Sequence, residues 1–200
     1  MDHLRYAGLT AGEQQSALEN IIRSEPVLMG LLADLQAFDL PDWLLVSGAI
    51  YNNVWNHLTG REPFAGVKDI DVFYFDASDL SYEAEDKIIQ RGASLFAGLP
   101  VPVEIRNQAR VHLWAPRKFG VEFAPLGSSE EMLLRFASKT HAVGARLMPD
   151  NSLQIVAPFG LDDIFSFRIV PNHVLGNQVA HEKKGARAKA QWPELVVLPW

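Results

Sequence analysis

Two aspartates, Asp69 and Asp71, lie at alternate positions in the segment VKDIDVFYFD (67–76), which otherwise has the pattern of a buried β-strand. Successive strand residues face opposite sides, so both carboxylates share one face, roughly 6 to 7 Å apart. Like charges in a half-buried place are costly unless a cation offsets them. Lys68 is adjacent, but on a regular strand its side chain would point the other way. The pattern therefore indicates either a Mg²⁺ site, which carboxylate oxygens and substrate phosphates suit, or a solvated strand end.

A tight turn in LLVSGAI (44–50) places Ser47 and Gly48 where a short apolar run ends and a helical pattern begins. Free backbone N–H groups and the positive end of the helix dipole converge at such a point, which favours phosphate. Gly48 would let a ligand approach the backbone closely, and Ser47 would add a hydroxyl donor or cap the helix. Plain helix capping is the alternative interpretation of this turn.

A third carboxylate, Glu104, lies in VPVEIRN (101–107), a predicted strand that could lie beside the aspartate strand. Three carboxylates on neighbouring strands suffice for two Mg²⁺ ions roughly 3.5 to 4 Å apart, as in phosphoryl transfer. A salt bridge from Glu104 to Arg106 or Arg110 is the alternative. Asn107 follows closely and could contact a substrate or a phosphate.

Three amides follow the turn on the predicted helix. Asn52 or Asn53 shares a helix face with Asn56, because residues three and four apart are neighbours on a helix. That face either borders a substrate cleft or is solvated.

Apolar spacing predicts the elements that position these residues. They are helices over about 12–38, broken at Pro26; a strand over 43–46; a helix ending at Gly60; the aspartate strand; a helix within 78–98, N-capped by Ser78 or Asp79; the strand over 101–107; short helices within 108–120 and 127–140; and a hairpin within 142–160 turning at 149–151. The result is one α/β (α+β) domain over 1–200, with a core at about 42–115 and a less regular extension at about 120–200.

The C-terminal part has little pattern from about residue 171. Its basic segment HEKKGARAKAQW (181–192) is predicted to be a solvated segment rather than a binding arm. The formal net charge is −6, which argues against wholesale binding of long nucleic acid.

Composition narrows the chemistry further. The chain has 200 residues, 48% of them hydrophobic, and no cysteine, so thiolate catalysis and Cys-type zinc sites are excluded. No apolar run approaches the about 18 residues of a membrane span, and the first residues lack the features of a signal peptide. The expected location is the cytoplasm.

Together these motifs resemble the nucleotidyltransferase superfamily of the DNA polymerase β type. The chain is similar, over most of its length, to a family of uncharacterised bacterial nucleotidyltransferase-like proteins through SGAIYNNVWN, DIDVFYFD, EIRNQARVHLW and APFGLDDIF. The run SGAIYNN also resembles the head of tRNA nucleotidyltransferases, although Tyr51 and Asn52 stand where those enzymes have Arg-Asp. The resemblance implies a nucleotidyltransferase fold with a mixed sheet flanked by helices, metal ligation by Asp69, Asp71 and Glu104, and a phosphate-binding turn at Ser47-Gly48.

The hypothesis is a Mg²⁺-dependent transfer of a nucleoside monophosphate from an NTP, such as ATP, to an unknown acceptor hydroxyl. Two Mg²⁺ ions, or Mn²⁺ in their place, would be held by the three carboxylates, and Ser47, Gly48, Asn52 and Asn107 would contact the nucleotide. A small-molecule acceptor is favoured over long nucleic acid, and no membrane partner is expected. The alternatives are a catalytically inactive nucleotide- or protein-binding module of the same fold and, more weakly, a structural protein whose three carboxylates lie far apart.

Overall fold

Helices and short strands alternate along most of the chain, and a computed structural model describes residues 2–120 and 122–200. The helices are α1 (Ala11–Ser24), α2 (Pro26–Phe38), α3 (Gly48–Thr59), α4 (Tyr82–Leu95), α5 (Val111–Phe119), α6 (Ser129–Leu133), α7 (Asp162–Phe165) and α8 (Gln178–Gln191). The strands are β1 (Leu44–Val46), β2 (Ile70–Tyr74), β3 (Val103–Asn107), β4 (Gly144–Leu147), β5 (Leu153–Val156), β6 (Arg168–Ile169) and β7 (Val196–Val197).

The main sheet has the strand order β3-β2-β1-β4-β5. β2 and β3 run parallel, and the chain crosses between them through α4, whereas β1 is antiparallel to both β2 and β4. β4 and β5 form an antiparallel hairpin, whose turn contains Asn151 at φ 64°. This mixed sheet with its helices confirms the predicted fold class and the predicted hairpin.

The first two helices pack through their apolar faces, α2 on strand β4 and α1 on α2 and α3. Thr10 begins α1 with a capping box, in which its side chain accepts from the N–H of Glu13 while the Glu13 carboxylate accepts from the N–H of Thr10. Pro26 occupies the first position of α2, where its missing N–H costs nothing. The predicted break between the two helices at Pro26 is therefore confirmed.

The two faces of the sheet differ in what covers them. Ile70, Val72 and Tyr74 point into the main core with α1, α2 and α3, whereas Phe73 lies in a smaller cluster on the other face. The alternation predicted for β2 is confirmed. The same alternation places Asp71 on the face of Phe73, which the smaller cluster covers, and not on the face of the main core.

Helix α4 begins later than the sequence suggested. Its N-cap is Ser81, whose hydroxyl accepts from the N–H of Ala84 at 3.2 Å. Asp79 instead accepts from the N–H of Ser81 at 2.8 Å and so shapes the turn before the helix. The prediction of Ser78 or Asp79 as the cap was wrong, because both residues belong to that turn.

The C-terminal part is more regular than predicted. The basic segment forms α8, which is anchored by His181, since Nδ1 of His181 lies 2.8 Å from the Ser138 hydroxyl and Nε2 lies 2.8 Å from the Leu198 carbonyl. A carbonyl only accepts, so Nε2 carries the proton and Ser138 donates to Nδ1. Within the described residues, no helix is both long and apolar enough to cross a membrane.

Candidate active site

The turn between β1 and α3 is strained at Ser47, which has φ 62° and ψ −125°. Its N–H donates to the Val143 carbonyl at 2.8 Å, and its own carbonyl accepts from the N–H groups of Ile50 and Tyr51. The Ser47 side chain makes no capping hydrogen bond to the start of α3. Helix capping by Ser47 is therefore excluded. The first N–H groups of α3 make no hydrogen bond to the Ser47 side chain.

Gly48 begins α3 beside the Asn52 amide. A Cβ at residue 48 would lie 3.2 Å from Nδ2 of Asn52 and 3.9 Å from the Tyr51 hydroxyl. The absence of that atom leaves room for the Asn52 amide at the start of the helix.

The strand register brings two of the three carboxylates together. Asp71 on β2 pairs with Glu104 on the parallel strand β3 and, on its other side, with Val46 of β1, the residue before Ser47. Residues in register share a face, so Asp71 and Glu104 project from the same side of the sheet. Asp69 immediately precedes β2 and lines the same cleft as Asp71.

Glu104 is turned toward solvent. Its side chain is 46% exposed, and Oε2 lies 3.5 Å from Nη2 of Arg106. Arg110, the other predicted partner, pairs instead with Glu85 in a buried ion pair. The salt bridge that the sequence left open is therefore present, on the same face as Asp71.

A cleft of 230 Å³ lies in front of the turn and the start of β2. It is lined by Ser47, Gly48, Tyr51, Asn52, Lys68, Asp69, Asp71, Lys184 and Arg187. Lys68 turns toward this cleft, with Nζ 3.2 Å from Oδ2 of Asp69. The expectation that Lys68 points away was wrong, because the residue precedes the first residue of β2 and escapes strand alternation.

Two cationic side chains of α8, Lys184 and Arg187, were missed in the sequence. They lie three residues apart and therefore on one helix face, with the cleft before them. The sequence indicated this helix only weakly, because α8 has few large apolar residues to reveal a helical period. The small residues Gly185 and Ala188, both buried, mark the face that packs inward, and a Cβ at residue 185 would approach Cγ1 of Val197 to 2.7 Å.

The charges in the cleft act on one another. Burial, followed by repulsion from Asp69, raises the pKa of Asp71 to about 6, against the opposing attraction of Lys184 and Arg106. Burial lowers the pKa of Lys184, and Arg187 adds to this while Asp71 and Asp69 oppose it. Lys184 as a whole is an exposed residue, and its Nζ lies 5.9 Å from the centroid of the Phe136 ring. The negative charge at Asp71 is thus only partly neutralised by the protein itself.

A family model described as nucleotidyltransferase matches residues 33–197, which include the turn, the three carboxylates and α8. The chain belongs to this nucleotidyltransferase family. A solved structure described as an NMR structure that reveals a CCA-adding enzyme head domain is 26% identical and superimposes with a TM-score of 0.76, covering 98% of this chain and 100% of that chain. Among curated proteins, none matches the chain.

The described residues of this family member contain no preformed metal site built from protein side chains alone. Within residues 2–120 and 122–200, no three His, Asp or Glu side chains cluster closely enough to hold an ion by themselves. Mg²⁺ rarely needs such a cage, because one or two carboxylates hold it while substrate phosphates and water supply the other ligands. Asp69 and Asp71, which line the same cleft, have the donor chemistry that such an ion requires.

The predicted nucleotide contacts separate into two groups. Ser47, Gly48 and Asn52 line the cleft, whereas Asn107 does not. The amide of Asn107 accepts from the N–H groups of Asp76 and Ala109 and donates to the carbonyl of Asp76. Asn107 therefore holds the ends of β2 and β3 together, outside the cleft.

Proposed function

We propose that this nucleotidyltransferase moves a nucleoside monophosphate from an NTP, such as ATP, onto an acceptor hydroxyl with the help of Mg²⁺. One observation carries the proposal: Asp69 and Asp71 line the same cleft as Lys184, Arg187 and the start of α3. Carboxylates, cations and free helix N–H groups in one small cleft are what a metal-bound triphosphate requires.

Asp69 and Asp71 would hold Mg²⁺, with Glu104 completing the set for a second ion when its pair with Arg106 opens. When bound, the ion neutralises phosphate charge and supplies Lewis-acid stabilisation to the transferring phosphoryl group. Lys184, Arg187 and the first N–H groups of α3 would bind the triphosphate oxygens. Their charges bring the triphosphate to the carboxylates, which by themselves would repel it.

In the transfer step, the oxygen of the acceptor hydroxyl attacks the α-phosphorus of the NTP. A new P–O bond forms as the bond between the α-phosphorus and the oxygen bridging to the β-phosphorus breaks. Pyrophosphate leaves with that electron pair, and the hydroxyl proton passes to the carboxylate of Glu104 and then to solvent. The acceptor is proposed to be a small molecule, because the chain is acidic overall, with a formal net charge of −6.

The proposal is tested by thermal unfolding with each of the four NTPs, with and without Mg²⁺. A ligand at a hundred times its Kd adds about 2.7 kcal/mol of stability, which raises the Tm of a chain of this size by roughly 5 to 10 °C. We expect that increase only when NTP and Mg²⁺ are both present. Asp71→Asn should abolish it, whereas Asp34→Asn, on the exposed side of α2, should not.

An Asp71→Asn variant stabilised by Mg²⁺ and NTP as strongly as the unmodified chain would contradict the metal role. A noncatalytic nucleotide-binding module is the second candidate, favoured by the ion pair that occupies Glu104. It predicts NTP binding without any slow release of pyrophosphate in Mg²⁺. Pyrophosphate release that depends on both NTP and Asp71 would support the enzyme and exclude the noncatalytic module.

A further inference from the structure

The cleft of the candidate site continues into a second lobe of 290 Å³ between α3 and α8. Four residues line both spaces: Tyr51, Asn52, Lys184 and Arg187. Beyond them the second lobe is bounded by Gly66, Gln191 and Trp192, and it contains no acidic residue in its lining. A ligand that filled both lobes would have an anionic part near the aspartates and an uncharged part beneath α8.

The amide of Asn52 lies at the junction of the two lobes. Asn52 is only 5% exposed, and within the described residues its Oδ1 has no hydrogen-bond partner. A buried amide oxygen left without a partner costs about 1–3 kcal/mol, so its presence calls for an explanation.

The neighbouring asparagines of α3 provide an internal comparison. Asn53 donates to the Ala49 carbonyl at 2.8 Å and accepts from the N–H of Phe64 at 2.8 Å. Asn56 donates to the Ala65 carbonyl and accepts from the indole N–H of Trp192, both at 2.9 Å. Both amides serve the fold, whereas Asn52, the one that lines the cleft, is left for a ligand.

We propose that the second lobe receives the nucleoside part of the NTP and that Asn52 hydrogen-bonds a ribose hydroxyl, which makes the site selective for ribonucleotides. This inference rests on the proposed function, because the phosphates must occupy the first lobe. Asn52 follows Gly48 by one helical turn, about 6 Å along the axis, where the sugar between the phosphates and the base would lie. A hydroxyl both donates and accepts, so it satisfies the amide whichever way the amide is turned.

The test measures the Kd values of ATP, 2′-deoxy-ATP, 3′-deoxy-ATP and inorganic tripolyphosphate in Mg²⁺ by calorimetry. We expect ATP to bind about tenfold or more tightly than at least one of the deoxynucleotides, and tripolyphosphate to bind without regard to Asn52. Asn52→Ala should reduce the ratio of the ATP and deoxy-ATP affinities to within about twofold, as should Asn52→Leu, which keeps the volume filled. Asn20→Ala, on an exposed position of α1, is the matched control.

The outcomes separate this inference from the function beneath it. Equal affinities of the unmodified chain for ATP and both deoxynucleotides would overturn the ribose contact but not the phosphate site. They would indicate that a water molecule satisfies Asn52. An unchanged ratio in the folded Asn52 variants would overturn it as well. If neither tripolyphosphate nor ATP binds in Mg²⁺, the proposed function fails and the inference fails with it.

Discussion

At the residue scale, the buried carboxylate of Asp71 opposes the stability of the fold. Its pKa is raised to about 6 from an ordinary value of 3.8, chiefly by burial and then by Asp69. The folded state therefore binds more protons than the unfolded state between these values. The cost of the charged carboxylate is complete above pH 6 and disappears as the pH falls toward 3.8.

Asp71→Asn is accordingly expected to increase the free energy of unfolding of the ligand-free protein, on the order of 2 kcal/mol at pH 7. The gain over the unmodified chain should shrink between pH 6 and pH 4, where the native carboxyl becomes protonated. Urea titrations of both chains across this pH range measure the difference. A gain that stays constant from pH 7 to pH 4 would mean that the Asp71 charge is not its cause.

Ser47 carries backbone strain at the same scale, since φ 62° and ψ −125° belong to a region that favours glycine. Ser47→Gly and Ser47→Ala both lose the hydroxyl, but only glycine relieves the backbone. We expect the glycine variant to be more stable than the alanine variant by about 1–2 kcal/mol. Denaturant unfolding compares the two variants directly, and equal stability would show that this conformation is not strained.

At the scale of elements, the candidate site depends on α8. Lys184→Met should weaken tripolyphosphate binding roughly tenfold, because it removes a cation close to the anion site in a partly desolvated cleft. Lys183→Met is the matched control, since Lys183 neighbours it on the helix but does not line the cleft. Calorimetric titrations supply both values. Equal losses from the two variants would show that the helix acts only through its overall charge.

The elements also show how far the sequence could predict the molecule. The sequence predicted the strand, turn and helix at 44–59 and the strand at 70–74. Their apolar periodicity is local, and Ser47-Gly48 and Gly60 mark the start and the end of the helix. The pairing of Asp71 with Glu104 was only an expectation, because register depends on the crossover through α4. Helix α8 was not predicted, since its inward face uses Gly185 and Ala188 rather than large apolar residues. Lys184 and Arg187 were missed with it.

At the scale of the whole molecule, the docking of α8 links the far end of the chain to the site. Trp192 is 1% exposed, donates to Oδ1 of Asn56 at 2.9 Å, and packs with its ring centroid 5.3 Å from that of Trp55. The same residue bounds the second lobe of the cleft. Stability and ligand binding should therefore change together when this contact is weakened.

Trp192→Phe keeps an apolar ring but leaves Oδ1 of Asn56 without its donor. We expect a loss of about 1–3 kcal/mol in the free energy of unfolding and a weaker affinity for tripolyphosphate. Tyr82→Phe, at the exposed first residue of α4, is expected to change neither by a comparable amount. Denaturation and calorimetry on the same preparations test the link. A destabilised Trp192→Phe variant with unchanged affinity would separate α8 docking from the site.

The most direct measurement of the central claim is a crystal structure with Mn²⁺ and a nonhydrolysable NTP, recorded at a wavelength where manganese scatters anomalously. The account predicts an anomalous peak about 2.2 Å from carboxylate oxygens of both Asp69 and Asp71, with the triphosphate between it and Lys184. A peak elsewhere on the molecule, or a bound NTP with no peak at this pair, would contradict it.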